Sequence, residues 1–210
     1  MSAATRQDIA AVADPGRLRG FVADFTRLIE RDPDQGTVLG EGGALLAALI
    51  ERDDWLDERF AQPHPQFYQQ FLLHCDPLER FSVVSFVWGP GQRTPIHDHR
   101  VWGLIGVLRG GERETRFERG DDGRLRETEE AVLPAGAIAT LSPEAGDLHR
   151  VSNLFGDRVS LSIHVYGANI GAVKRATFDE ETGVEKSFVS GYAADLLPNL
   201  WDRSAAVRAS

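Results

Sequence analysis

The stretch Gly91-Gln92-Arg93-Thr94-Pro95-Ile96-His97-Asp98-His99 sets two histidines one residue apart at the end of a turn. On a strand, side chains alternate between faces, so His97 and His99 would project together while Asp98 turns away. Two imidazoles make half of a metal site. The best third ligand in the chain is His149, within Pro143-Glu144-Ala145-Gly146-Asp147-Leu148-His149-Arg150-Val151-Ser152-Asn153, provided that this segment folds back beside the first. Neutral imidazole is a ligand for iron, zinc, copper and nickel, so the three histidines do not choose the metal, and zinc with three histidines and a water is a real competitor. A second group is Ser162-Ile163-His164-Val165-Tyr166. There a hydroxyl, an imidazole and a phenol share one strand face and can form a relay, the plainer alternative being the polar outer face of a half-exposed strand.

The glycines around these residues carry a resemblance. Gly91, five residues, His97-x-His99, three residues to Gly103 and six more to Gly110 resemble the first cupin motif; Gly136, Pro143, Gly146, His149 and Asn153 resemble the second. The two earlier gaps of the second motif are each one residue longer than usual, and Gly103 stands where many cupins place an acidic ligand. A three-histidine cupin followed by the Ser162, His164, Tyr166 alternation is similar to the thiol dioxygenases of the cysteine dioxygenase type I family, over roughly residues 65 to 180.

The resemblance implies a jelly-roll-like antiparallel β-barrel and a non-haem Fe(II) site on His97, His99 and His149. It implies a small thiol and O2 as substrates, with both oxygen atoms added to sulfur to reach the sulfinic acid level. Three neutral ligands leave the ion's charge uncompensated and positions open, which suits an anionic thiolate. Tyr166 would then be the acid or hydrogen-bond donor, oriented by Ser162 and His164, and His149 rather than His164 would be the ligand. Animal-type members cross-link the matching tyrosine to a cysteine; Gly103 occupies that position, so no thioether is expected and the bacterial branch is indicated. Arg175 matches the arginine that holds a carboxylate in 3-mercaptopropionate dioxygenases, a task suited to the guanidinium fork. Cysteine-specific members have an arginine where Gln69 and Gln70 stand here. The expected reaction is therefore 3-mercaptopropionate to 3-sulfinopropionate, with cysteine to cysteine sulfinate as the alternative. From other classes come a non-catalytic metal- or ligand-binding cupin and a zinc or nickel isomerase.

The elements that must position these groups follow from periodicity. Leu18, Phe21, Val22, Phe25, Leu28 and Ile29 recur at helical spacing between Gly16 and Asp32-Pro33-Asp34, a second helix is expected near residues 44–52, and a third over 65–74 with Phe67, Phe71 and Leu72 as packing residues. From Phe81 the pattern becomes β-branched and aromatic. Strands are expected over 81–88, around His97, and over 102–108, 112–118, 125–133 and 137–141, then around His149 and over 159–166, with turns at Gly110-Gly111 and at residues 120–123. Such a series predicts an antiparallel sandwich or barrel. The expected organisation is one domain, with helices to residue 78 covering one side of the sheet, a barrel over 79–170, and an irregular wrap over 171–210 that contains Pro198.

Composition bounds the partners. The 210 residues carry 32 acidic against 23 basic side chains and a formal charge of -9, which argues against nucleic-acid and anionic-membrane surfaces. The single cysteine, Cys75, excludes an internal disulfide and a cysteine-ligated zinc site, and is expected to pack as a small hydrophobe. Met1 to Asp8 lacks the basic start and apolar core of a leader, and no apolar run approaches the ~20 residues of a membrane span. A cytoplasmic protein is the expectation. His64 and His74, outside both motifs, are expected to be structural.

Overall fold

Helix α1 (Gly16–Glu30) buries Phe21, Phe25 and Leu28 at the spacing read from the sequence. The computed structural model describes residues 14–193 and 204–210, so the leader reading at Met1 to Asp8 and Pro198 lie outside the described residues. Helix α2 (Gln35–Ile50) starts well before residue 44, capped by the Asp34 carboxylate, which accepts from the Thr37 amide at 2.7 Å. Its glycines make poor helix formers, yet they serve packing: a Cβ on Gly42 would stand 2.8 Å from the Phe25 ring and 3.0 Å from Leu104. The missing side chain lets α2 approach both α1 and the sheet beneath.

The helix expected over 65–74 is a strand. β1 (Gln69–Cys75) pairs antiparallel with β2 (Ser82–Trp88), Gln69 opposite Val87 and Cys75 opposite Ser82. Buried Asp76 closes the hairpin by accepting from the Leu78 amide at 2.9 Å and from the Arg80 guanidinium. The helical spacing of Phe67, Phe71 and Leu72 is thus overridden by strand pairing, and Phe67 is left exposed. The second α-helix ends at Ile50, a single 3-10 turn follows at Glu58–Phe60, and the sheets begin at Gln69 rather than at residue 79. Cys75 is buried, as expected.

The remaining strands are β3 (Ile96–His97), β4 (Gly103–Arg109), β5 (Gly111–Arg119), β6 (Leu125–Pro134), β7 (Ile138–Leu141), β8 (His149–Asn153), β9 (Ser160–Tyr166), β10 (Arg175–Phe178) and β11 (Glu185–Phe188), with a short helix α3 (Ser204–Arg208) near the end. They form two sheets, in the orders β1-β2-β9-β4-β7 and β11-β10-β3-β8-β5-β6. The irregular wrap expected after Gly167 is in part a hairpin: β10 and β11 pair with each other, and β10 extends the second sheet through β3. Four-residue strands with the exposed sequence Glu185-Lys186-Ser187 give too little alternation to be read in advance.

Strand β9 is buried along its whole length. Its Leu161, Ile163 and Val165 join Val83, Val87, Leu46 and Phe25 in the core beneath the helices, so the helical cover lies on the outer face of the first sheet. The opposite face, with Ser162, His164 and Tyr166, looks into the space between the sheets. Among the described residues no helix is long and apolar enough to cross a membrane.

Candidate metal centre

His97, the last residue of β3, sits directly opposite His149, the first of β8. The strand stops there, so His99 does not ride it as expected but lies just beyond, its amide donating to the Asp147 carboxylate at 2.7 Å. The next residue, Arg100, adopts φ 61° and donates to the same carboxylate. This turn still brings the rings together: the centroids are 4.7 Å apart for His97 and His99 and 4.8 Å for each with His149. Asp98 points away and fastens β10, its carboxylate accepting from the Ala176 amide at 2.7 Å and its own amide donating to the Ala176 carbonyl at 3.1 Å.

The three side chains are buried, and one nitrogen from each lies within 4.8 Å of the others. His97 Nδ1 donates to the Pro95 carbonyl at 3.1 Å and His149 Nδ1 to Glu114 Oε1 at 2.8 Å, which leaves both Nε2 lone pairs for the site. His149 Nε2 and His99 Nδ1 are buried without partners among the described residues. A buried polar atom left unpaired costs about 1–3 kcal/mol, a cost that a bound cation removes. Burial, reinforced by the neighbouring rings, holds His97 and His99 well below the usual histidine range, so their lone pairs stay available at neutral pH. The donor set fits a divalent transition ion with three imidazole ligands. Glu114 escaped the sequence reading because an inward acid on the charged strand Glu112-Arg113-Glu114-Thr115-Arg116 gives no signal of its direction.

Beside the histidines runs a hydrogen-bonded row. Ser162 Oγ lies 2.7 Å from His164 Nε2, and His164 Nδ1 lies 2.8 Å from the Tyr166 hydroxyl. All three are buried, so the half-exposed alternative does not hold. Phe86 stacks on His164 at 4.1 Å and Tyr166 on His99 at 5.4 Å, which fixes both ring planes. Burial lowers His164 to about 3 and raises the Tyr166 phenol, so both are neutral across the physiological range. A Cβ on Gly103 would stand 3.1 and 3.2 Å from the Tyr166 ring edge.

Arg175, at the start of β10, lines the same small cavity as the three histidines, Tyr166 and His164. It is buried, donates to Ser190 Oγ at 2.8 Å and lies over the Phe188 ring at 4.8 Å. Among the described residues it makes no ion pair, and its Nε has no partner. Gln70 lines the cavity too, but its amide is committed to Ser190 Oγ at 2.9 Å and to the Gly191 carbonyl. Gln69, on the alternate face, opens onto an outer cleft with Phe67 and Tyr192 and is not brought to the histidines. His64 stacks on Phe67 and His74 packs near Phe81, both apart from the centre.

Two facing antiparallel sheets with three inward histidines define a cupin fold carrying a candidate metal site. Residues 45–180 match the family model described as cysteine dioxygenase type I, and the chain belongs to that family. It is 29% identical over 147 residues to cysteine dioxygenase type 1 of Danio rerio, covering 66% of this chain and 70% of that one. With the Homo sapiens protein of the same name the identity is 29% over 107 residues, or 50% of this chain and 52% of the human one. Among solved structures, an uncharacterized conserved protein with a double-stranded β-helix domain from Klebsiella pneumoniae shares 20% identity, with a TM-score of 0.42 over 57% of this chain and 95% of that one.

Proposed function

We propose that the protein is a non-haem iron(II) thiol dioxygenase that converts 3-mercaptopropionate to 3-sulfinopropionate. The observation that carries this reading is Arg175: a buried guanidinium with no ion-pair partner among the described residues, in the cavity that the three histidines line. A buried cation with spare donors calls for an anion, and a carboxylate meets it with two parallel hydrogen bonds. His97, His99 and His149 would hold the ion, which supplies the redox chemistry for joining dioxygen to sulfur. The sum is one thiol and one dioxygen to one sulfinic acid, so no external reductant is needed.

In this reading the chain's own side chains orient and exclude water. Arg175 anchors the substrate carboxylate at one end, with Ser190 and Gln70 holding the guanidinium in place. Tyr166 is the hydrogen-bond donor at the reacting end, kept un-ionised by burial and aligned by His164 and Ser162. Phe86 and Trp88 give the cavity apolar walls. Glycine at 103 supports a reading without a thioether. Cysteine is the second candidate substrate, since the relatives of known name are cysteine dioxygenases. The preference for 3-mercaptopropionate rests on Gln69 and Gln70 standing where cysteine-specific members carry an arginine.

The test is oxygen uptake by the iron-loaded protein with 3-mercaptopropionate, cysteine and cysteamine. The highest kcat/KM is expected for 3-mercaptopropionate, and a larger value for cysteine overturns the substrate assignment. A full iron load with no thiol-dependent uptake would make the protein a binding cupin.

A further inference from the structure

Behind the row of Ser162, His164 and Tyr166 lies Glu112, a carboxyl with no exposed surface, which the reaction as proposed does not use. Among the described residues neither of its oxygens has a partner in hydrogen-bonding geometry. The Ser162 hydroxyl and the Trp88 indole face it, and Trp88 Nε1 itself donates to Ser162 Oγ at 3.4 Å. Asn153, opposite Glu112 on β8, has no donor to spare: its amide serves the carbonyls of Trp88, Gly89 and Arg158. Leu133, opposite it on β6, offers none. The titratable groups that act on it are Glu114 on its own strand and Tyr166 on β9. Ser162 is therefore the link between this acid and the relay.

We infer that Glu112 is a positioning residue whose protonation state sets the direction of the hydrogen bonds through Ser162 and His164, and so decides whether the Tyr166 hydroxyl can donate into the cavity. The donor inventory allows two arrangements. With Glu112 protonated, its O–H donates to Ser162 Oγ, the Ser162 hydroxyl donates to His164 Nε2, and His164 Nδ1–H donates to the Tyr166 oxygen. The phenol proton is then free to reach a substrate. With Glu112 ionised, Ser162 must donate to the carboxylate, His164 Nε2–H donates to Ser162 Oγ, and Tyr166 spends its proton on His164 Nδ1. In both states Ser162 Oγ also accepts from Trp88. One proton leaves Glu112 for solvent between the two states, and histidine and tyrosine stay neutral throughout.

Burial, helped by the charge of Glu114 and opposed by Ser162 and Trp88, pushes Glu112 up to about 7, so both arrangements are populated near neutrality. Only the consequence for a substrate rests on the thiol dioxygenase reading; the coupling itself does not.

The test follows the His164 tautomer by nitrogen NMR in full-length protein labelled at histidine. Zinc replaces iron because it is diamagnetic and accepts imidazole ligands. The His164 signal, identified by its loss in His164→Asn, is expected to pass from Nδ1–H to Nε2–H as pH rises through about 7. Glu112→Gln, whose amide donates to Ser162 as the acid does, should hold the Nδ1–H form at every pH. Should that variant not fold, Ser162→Ala should make the tautomer independent of pH while the Glu112 carboxyl still titrates by infrared spectroscopy. A single wild-type tautomer across the range, or a switch that survives in either variant, overturns the inference. In the iron-loaded protein kcat for the thiol should fall as pH rises through the same region, and Glu112→Gln should abolish that inflection. A tautomer switch without thiol-dependent oxygen uptake would sink the dioxygenase reading and leave the coupling standing; uptake with a fixed tautomer would do the reverse.

Discussion

His149 Nδ1 donates to Glu114 Oε1 across 2.8 Å, with both side chains buried. Burial alone would raise this carboxyl, but the bond from His149 and the nearby Arg116 hold it below the usual glutamate range, so it stays a charged acceptor. It fixes the tautomer in which His149 Nε2 carries the lone pair. Such partners usually change metal affinity by about 10–100-fold. Glu114→Gln should accordingly keep its circular dichroism spectrum and lose iron affinity by about that factor in metal titration. Unchanged affinity would make the contact a packing detail.

Arg175 offers a second, independent check. Hydrogen bonds to charged groups contribute about 1.5–3 kcal/mol, so Arg175→Ala should lower kcat/KM for 3-mercaptopropionate by about 10–100-fold. Cysteamine, which has no carboxylate, should be affected far less. Equal losses for both thiols would remove the residue from carboxylate binding.

His164 gives the protein an acid sensitivity whose sign can be worked out. Its pKa falls from the ordinary 6.5 when unfolded to about 3 when folded, because burial penalises the imidazolium. Between those values the unfolded chain binds the extra proton, so stability is full above about 6.5 and drains as pH falls. This one group changes the folding equilibrium by up to about tenfold per pH unit. Buried His97 and His99 act in the same direction and Glu112 in the opposite one, so the check is a comparison: in denaturant titrations from pH 7 to 5 the wild type should lose more stability than His164→Asn as pH falls.

Gly103 leaves room for the Tyr166 ring edge. A methyl there would crowd Tyr166 at 3.1 Å and Leu141 at 3.2 Å. Gly103→Ala should cost about 1 kcal/mol or more in stability and lower kcat by tilting the phenol. The wild-type peptide bearing Tyr166 should keep its unmodified mass after turnover with thiol and oxygen, and a deficit of two hydrogens would reveal a cross-link.

The three histidines were legible from their motif spacing, His99 reaching the cluster by a turn beyond β3 and not by alternation. The Ser162, His164, Tyr166 row was legible because strand alternation is a short-range rule: two residues along a strand fix a shared face whatever the rest of the fold does. Most strands from Phe81 to Tyr166 followed for the same reason. Glu112 and Glu114 were hidden because the same alternation on β5 does not say which of its two faces turns inward. The β1 segment misled because Phe67, Phe71 and Leu72 fit a helix equally well, and only pairing with β2 decides between the periods. Gln69 and Gln70 were separated by that same strand: Gln70 reaches the histidine cavity as well as the outer cleft, and Gln69 only the cleft.

Asp98 ties the backbone beside Arg175 to the turn between His97 and His99. Under the proposed function the anion grip and the ion would thereby be held at a set spacing, and that interval would work as a ruler for the length of carbon chain between sulfur and acid. One end of that ruler would sit on a short edge hairpin, so substitutions there would re-gauge it to a longer or shorter thiol without touching the imidazole cluster.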